Sequence, residues 1–454
     1  MKVFICGFGT VGQGFAEVLA SKGKMIKDRF GQDVSITGAM DSRTYVCDPA
    51  GLDPLALVAR KKEKRTVGDK GYTDPAEVLA KADYDVLVEV SPTDVKTGGA
   101  GLGNIISALK RGKDVITVNK GPLALKYAEL TELAQKNGCM LRFEGSVGGA
   151  MPILNLCAEN LMGEKIVSIR GIFNGTCNYI LSKMDKGQPF DQALKEAQQL
   201  GYAETDPTND IEGYDSACKV AILANAVFGR NVTFNDIKIT GITSITEEAV
   251  SMAASRNMVI RLIGEVSDSR LEVGPRLIPK GHPLSISGTL NTAQIVTDLA
   301  GPVTVSGRGA GRAETASAIL SDLMAILERR TKGRDEESLR LRHHAQGRRP
   351  DRGRLILMRR QDRHSQEAGR LRSRLHRRGL AGIQPEGRRV LLPRIEAAPV
   401  RIEAGGLREH LPPGRSSGRG RGPQGAGRMR IGMVLHIRKD VGLPCQGGLG
   451  DRAR

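Results

Sequence analysis

The sequence has no tryptophan, and aromatic residues make up only 4% of its 454 residues. Histidine is nearly absent from the larger part of the chain: six of the seven histidines follow residue 331, and only His282 precedes it. This distribution disfavours catalysis by a histidine pair or triad. The seven cysteines include no C-x-x-C pair, which disfavours a zinc cluster and fits a reducing compartment.

Long apolar runs are also missing. No run approaches the roughly 18 apolar residues of a membrane span, and the apolar run of residues 3–6 is too short for the core of a signal peptide. We therefore expect a soluble, cytoplasmic protein that does not enter a membrane.

The formal net charge of +18 comes from one end of the chain. Residues 331–454 contain 30 basic and 12 acidic residues, whereas residues 1–330 contain 38 of each. This arginine-rich tail (residues 331–454) has 28 arginines, two lysines, one threonine and no aromatic residue. Such a composition cannot easily bury a core, so we expect a disordered segment. Three interpretations of the tail stay open: it is the product of translation in a wrong reading frame, an arm that binds nucleic acid, or a folded regulatory domain.

Residues 2–12 read as a strand, a turn and the start of a helix. A short apolar strand is followed by a G-x-G-x-x-G motif, whose glycines allow a tight turn and let backbone N–H groups approach a pyrophosphate at the helix N-terminus. The motif predicts a dinucleotide site, with a purely structural turn as the alternative. Its six residues are Gly7, Phe8, Gly9, Thr10, Val11 and Gly12.

Strands alternate with helices after this motif. Further apolar strands at residues 34–40, 86–90 and 115–118 predict an α/β fold with a doubly wound parallel sheet of the Rossmann type. We expect residues 1–150 to form this nucleotide-binding domain, completed by a helix over residues 312–330. Residues 151–311 are expected to form a second, α+β domain.

Four polar residues follow the carboxyl ends of the predicted strands, where ligands of such sheets bind. Asp41 suits a ribose hydroxyl, whereas Arg43 suits the 2′-phosphate of NADP, so charge favours NADP over NAD. Ser91 and Lys120 are expected to reach the mouth of the cofactor site from the next two strands.

Asp215 and Lys219 are four residues apart and would share one face of a helix. A surface ion pair is the default interpretation of this spacing. Residues 220–227 are almost wholly apolar, which instead indicates a buried helix. A buried lysine held by a carboxylate can exchange a proton with a substrate oxygen.

Several motifs in order and in register resemble those of homoserine dehydrogenase over residues 1–330. They are residues 7–12, 117–122, 144–152, 174–180, 201–219 and 307–317. The resemblance implies oxidation of L-homoserine to L-aspartate 4-semialdehyde with NAD or NADP, or the reverse reaction in threonine, methionine and isoleucine biosynthesis. It covers none of the arginine-rich tail.

The resemblance also implies roles for individual residues. By this resemblance, Lys219 corresponds to the family's general acid and base, with Asp215 beside it. Lys120 corresponds to the residue that touches both cofactor and substrate. Glu204 and Asp210 correspond by resemblance to the family's carboxylates that hold the substrate's amino group.

A glycine-rich segment after residue 143 is either a hinge between domains or a cation site, because its backbone would expose carbonyl oxygens. By resemblance it binds Na+ or K+ through Glu144, Val147, Gly149 and Met151. The family further implies a homodimer formed through the second domain, and no aspartate kinase domain is expected before Gly7. Two rival functions stay open: a nucleic-acid-binding protein that acts through its tail, and a reductase of another semialdehyde.

Overall fold

Buried apolar segments and glycine-marked turns divide the chain into short strands and longer helices. The structure is a computed structural model that describes the backbone of residues 1–345 and the side chains of residues 1–332. Residues 331–345 of the arginine-rich tail continue the helix that was expected to end at residue 330. The rest of the tail, with the expectations attached to it, lies outside the described residues.

Two sheets, of seven and six strands, are formed by the described residues. The strands are β1 Lys2–Cys6, β2 Ser35–Met40, β3 Thr44–Leu52, β4 Lys70–Gly71, β5 Val86–Glu89, β6 Asp114–Thr117, β7 Leu141–Arg142, β8 Ile166–Ile172, β9 Lys238–Ile239, β10 Met258–Ser267, β11 Leu271–Pro279, β12 Leu290–Thr297 and β13 Pro302–Arg308. The helices are α1 Thr10–Phe30, α2 Pro54–Lys64, α3 Pro75–Lys81, α4 Gly99–Lys110, α5 Lys120–Lys136, α6 Ile153–Asn155, α7 Gly175–Met184, α8 Phe190–Gln199, α9 Thr208–Ile211, α10 Tyr214–Ala226, α11 Glu247–Ser255 and α12 Arg312–Ala345.

The first sheet has the strand order β4-β3-β2-β1-β5-β6-β7. Five neighbouring strands pair in parallel, in the order β2-β1-β5-β6-β7, which confirms the predicted parallel sheet. Strands β3 and β4 pair antiparallel at one edge of this sheet, which the sequence analysis did not predict. Strand β3 is largely exposed and contains Asp48, Pro49 and Gly51, so its sequence lacks the apolar pattern of a buried strand.

Helices cover both faces of the first sheet, because successive residues of a strand point to opposite sides. Val3 and Ile5 of β1 pack in one cluster with α1 and α12. Phe4 and Cys6 pack on the other face with residues of α3, α4 and α5. The doubly wound arrangement is therefore as predicted, and it leaves the carboxyl ends of the strands free for a site.

The second sheet has the order β13-β12-β8-β10-β11-β9 and is antiparallel except for the pairing of β9 with β11. Its inner face, with Ile169, Leu262 and Ile295, packs in one core cluster with α7 and α10. Residues 216–225 of α10 are buried without interruption, which confirms the predicted buried helix. Helix α10 also packs against α5, so the two sheets meet at the start of these helices.

Helix α12 returns from the second sheet to the first. Ile319 and Leu323 lie in the same buried cluster as Phe15 of α1. At the start of α12, the guanidinium of Arg312 donates to both carboxylate oxygens of Glu17, at 2.9 and 2.7 Å. None of the helices in residues 1–345 has the length and hydropathy of a membrane-spanning segment.

Replacing Leu323 by alanine tests this packing. Because the Leu323 side chain is fully buried, we expect Leu323→Ala to lower the free energy of unfolding by about 2–5 kcal/mol. Leu55→Ala is the control, because Leu55 is 57% exposed and its loss should cost less than about 0.5 kcal/mol. Urea unfolding measures both, and equal effects would show that α12 does not contribute to this core.

Candidate active site

The turn after β1 requires glycine at two positions. Gly7 has a φ of +96°, and a Cβ added to it would lie 2.5 Å from the backbone nitrogen of Ser91. A Cβ on Gly12 would lie 2.4 Å from the carbonyl oxygen of Gly7. Both glycines therefore allow close backbone packing, which brings the loop after β5 against the turn.

Gly9 differs, because a Cβ added to it would meet nothing within 4 Å. Gly9 is the N-cap of α1, and this helix has neither a side-chain cap nor an acidic residue in its first turn. Its first N–H groups therefore face open space at the positive end of the helix dipole, which fits a pyrophosphate. Thr10 is exposed there, whereas the Phe8 side chain is fully buried in the core.

The carboxylate of Asp41 is held by protein groups. One oxygen accepts the N–H groups of Arg43 and Thr44, both at 2.8 Å. The other contacts the Lys61 ammonium at 2.6 Å and accepts the N–H of Val67 at 2.8 Å. Burial would raise the pKa of Asp41, but these donors outweigh it and lower the pKa. The group therefore organises its own loop, and its contact with a ribose stays a prediction.

Three ionised side chains meet where α5 and α10 begin. The Lys219 ammonium lies 2.6 Å from one carboxylate oxygen of Asp215, and the Lys120 ammonium lies 3.4 Å from the other. Burial would raise the pKa of Asp215, but the two ammonium groups hold it well below its usual range. Burial likewise disfavours the charged Lys120, yet the nearby Asp215 carboxylate raises its pKa. The triad therefore carries two positive charges and one negative charge.

Lys219 is buried and has one N–H that these contacts do not use. Besides Asp215, its ammonium donates to the carbonyl oxygen of Phe173 at 2.5 Å. An ammonium has three N–H donors, so one remains to bind an oxygen atom of a ligand.

Asn174 is a member of this site that the sequence reasoning did not assign. Its side-chain N–H groups donate to Asp210 at 2.7 Å and to Asp215 at 3.0 Å. Asp210 therefore lies beside the triad, and burial together with the Asp215 charge raises its pKa. The amide oxygen of Asn174 accepts the N–H of Cys177 at 2.9 Å and caps α7. Its place two residues after the end of β8 was the available signal.

Glu204 does not join the cluster. It is exposed, in the segment between α8 and α9, and its side chain makes no hydrogen bond or ion pair with the residues that the structure describes. Its backbone is tethered, because the side chain of Gln198 donates to the carbonyl oxygens of Glu204 and Thr205.

The segment of residues 144–151 offers a mixed set of oxygen atoms. Both carboxylate oxygens of Glu144 accept backbone N–H groups, those of Leu154 and Asn155. The Met151 carbonyl accepts the N–H of Ile153. By contrast, the carbonyl oxygens of Val147 and Gly149 accept no hydrogen bond from the described part of the chain, and they suit a hard monovalent cation. No cluster of three or more His, Cys, Asp or Glu side chains in that part could hold a metal.

The chemistry of the site needs a cofactor, because lysine and carboxylate side chains move protons but do not carry hydride. The open turn at Gly9 fits a dinucleotide and lies on the same edge of the sheet as Lys120. The fold and site therefore define the class of NAD(P)-dependent oxidoreductases.

Comparison with known proteins narrows the class to one family. A family model described as "Homoserine dehydrogenase, NAD binding domain" matches residues 7–144, and one described as "Homoserine dehydrogenase" matches residues 152–324. The chain belongs to the homoserine dehydrogenase family, which confirms the resemblance stated above. Its activity is that of an NAD(P)-dependent dehydrogenase acting on homoserine, as predicted.

Individual relatives match the same part of the chain. Homoserine dehydrogenase of Methanocaldococcus jannaschii is 48% identical over 333 residues, covering 72% of this chain and 98% of the relative. The NAD(+)-dependent homoserine dehydrogenase of Pseudomonas canavaninivorans is 36% identical and covers 73% and 97%. A hyperthermophilic archaeal homoserine dehydrogenase solved in complex with NADPH is 31% identical, with a TM-score of 0.62 over 71% of this chain and 96% of that one.

The stability of the protein should depend on the protonation of Glu144. Burial, and then the charge of Asp322, raises the pKa of Glu144 from 4.5 to about 7. Its protonated form is therefore favoured by folding, and the associated stability is complete below about pH 4.5 and is lost as the pH rises through 7. As the pH rises from 4.5 to 8, the free energy of unfolding of the Glu144→Gln variant should therefore increase by about 3 kcal/mol relative to that of the unmodified protein.

Urea unfolding across this pH range, in a buffer without Na+ or K+, measures the difference. Glu63→Gln is the matched control, because Glu63 is exposed. A Glu144→Gln curve parallel to that of the unmodified protein would contradict the prediction.

Proposed function

We propose that Lys219 is the general acid and base in the interconversion of L-homoserine and L-aspartate 4-semialdehyde. The observation that carries this proposal is the triad of Lys120, Asp215 and Lys219, in which a buried ammonium keeps one N–H free for a ligand oxygen. Bound NAD(P) supplies the hydride acceptor or donor. The protein is left to orient the substrate and to move one proton.

The proton step follows from the contacts of Lys219. In the reducing direction, its free N–H binds the aldehyde oxygen, stabilises the developing alkoxide and then donates its proton. Asp215 and the Phe173 carbonyl hold the ammonium in one orientation, so little reorganisation is needed during reaction. Lys120 adds a second positive charge near the same oxygen and, in our proposal, contacts the cofactor.

The substrate's amino group would be bound by carboxylates. Asp210 is the main candidate, because Asn174 holds it next to the triad without neutralising its charge. Glu204 is the second candidate and would act from the exposed segment before α9. A monovalent cation, Na+ or K+, would bind near the carbonyl oxygens of Val147 and Gly149, with Glu144 and Met151 completing the segment.

NADP is the cofactor that the charges favour. The Asp41 carboxylate, which would repel a 2′-phosphate, is already paired with Lys61. The Arg43 side chain is exposed, and it makes no ion pair among the described residues. Gly7, Val11, Gly12 and Ser91 would shape the rest of the cofactor site through their backbone.

Arg43→Ala should weaken NADP selectively. A hydrogen bond to a charged group contributes about 1.5–3 kcal/mol, so we expect the KM for NADP to rise about 10- to 100-fold while the KM for NAD changes less than about threefold. Lys22→Ala, which removes an exposed lysine from α1, is the control. Steady-state kinetics with each cofactor measures the ratio, and equal changes for both would remove Arg43 from this role.

We also propose a homodimer, formed through the second domain, with residues 1–150 and 312–330 binding the cofactor and residues 151–311 binding the substrate. Exposed apolar side chains on or beside the second sheet, among them Val167, Leu290 and Leu299, support an interface there. Sedimentation equilibrium measures the mass.

The six cysteines of the described residues are free thiols, which supports the cytoplasm as the location.

Two substitutions of Lys219 test the proton step. Lys219→Ala should lower kcat at least about a hundredfold, while the dissociation constant for NADPH changes less than about threefold. Lys219→Arg should also stay inactive, because a guanidinium keeps its positive charge but cannot release a proton near neutral pH.

Lys195→Ala is the control, since Lys195 is an exposed lysine of α8. Rates come from L-homoserine-dependent NADPH formation, and affinities from NADPH fluorescence. A Lys219→Ala variant with the unmodified kcat would show that another group moves the proton.

A further inference from the structure

Glu89, the last residue of β5, is a fully buried carboxyl group at the carboxyl end of the first sheet. Among the described residues no lysine, arginine or histidine forms an ion pair with it. Neutral donors bind it instead: the backbone N–H of Ser91 at 2.9 Å, the hydroxyl of Ser91, and the side-chain N–H of Asn104 at 2.8 Å. Burial raises the pKa of Glu89. A buried acid without a countercharge is costly unless it is hydrogen-bonded, so these neutral donors are what stabilises it at this place.

The Ser91 hydroxyl, which donates to Glu89, connects it by further hydrogen bonds to the start of α5. Asn119 donates from its side chain to the hydroxyl of Ser91 at 3.4 Å and to the carbonyl of Pro92 at 3.3 Å. The Asn119 amide oxygen accepts the N–H of Gly121 at 3.2 Å and so caps α5. Lys120 is the first residue of that helix. The hydrogen bonds therefore run from Glu89 through Ser91 and Asn119 to the backbone that carries Lys120.

The cluster is closely packed against helix α4. A Cβ added to Gly101 of α4 would lie 2.4 Å from the side-chain nitrogen of Asn119 and 3.3 Å from a carboxylate oxygen of Glu89. The carbonyl oxygen of Glu89 also accepts from the Thr117 hydroxyl at 3.1 Å and from the Val118 N–H at 3.2 Å. The loop after β5 and helix α4 therefore contact the carboxyl group of Glu89, whereas the end of β6 and the loop after it are bonded to its backbone carbonyl.

We propose that Glu89 is a positioning residue: through Ser91 and Asn119 it fixes the start of α5 and holds the Lys120 ammonium against Asp215. This inference rests on the proposed role of Lys120. Small displacements of a group that orients substrate reduce turnover strongly, so loss of Glu89 should lower kcat/KM for L-homoserine mainly through Lys120.

A double-mutant cycle in the full-length protein tests the coupling. Glu89→Ala is expected to lower kcat/KM for L-homoserine at least about tenfold in the unmodified protein and less than about twofold in a Lys120→Ala background, because effects that share one route are not additive. Glu89→Gln keeps the shape and an acceptor oxygen, and the Asn104 amide can turn to match it. We expect that variant to retain kcat/KM within about threefold.

Asp114→Asn is the matched control. Asp114 is a buried carboxyl at the opposite end of the neighbouring strand β6, so its effect should be equal in both backgrounds. Additive losses for Glu89→Ala and Lys120→Ala, or a Glu89→Gln variant as impaired as Glu89→Ala, would overturn the inference. A Lys120→Ala variant with unmodified kcat/KM would instead refute the proposed role of Lys120.

Discussion

The ion contact of Asp215 with two lysines is the interaction on which the site depends. Lys219 is 8% exposed, and an isolated ammonium at that depth would lose several kcal/mol of hydration. Asp215 offsets this cost, and its other carboxylate oxygen lies 3.4 Å from the ammonium of Lys120. Because both ammonium groups contact the one carboxylate, removal of Asp215 would leave two positive charges close together in a buried setting without the group that compensates them.

The two sheets of the chain supply this contact jointly. Lys120 stands at the first residue of α5, which follows a parallel strand of the first sheet, and Asp215 stands in the first turn of α10, which covers the second sheet. The unbroken burial of residues 216–225 of α10 sets the depth at which Lys219 lies. The carboxyl end of the first sheet is also where the open turn at Gly9 would receive a dinucleotide. The open turn and the Asp215–lysine contact are therefore brought together by packing that either sheet alone could not provide.

Local patterns predicted the parts of this arrangement that are local. The strand, glycine turn and helix at residues 2–30 follow from spacing, and the buried lysine of α10 follows from an i, i+4 pair beside an apolar run. The exposed edge strand β3 was missed, because its polar residues and proline carry no strand pattern.

Tertiary contacts account for the other omissions. The link between Asn174 and Asp210 joins residues 36 positions apart, and Lys61 reaches Asp41 from 20 positions away. Neither contact has a signature in the sequence, because both depend on where the helices pack. Glu89 looked like one more residue of a buried strand, and only its donors show that it differs.

Reduction of NADP and NAD in the presence of L-homoserine, measured with the full chain, with a chain ending at Arg330 and with an Asp215→Asn variant, tests this account. We predict substrate-dependent reduction by the first two proteins at equal rates per site and its near loss in the variant. A folded full-length protein that reduces neither cofactor, or an Asp215→Asn variant as fast as the unmodified protein, would contradict the account.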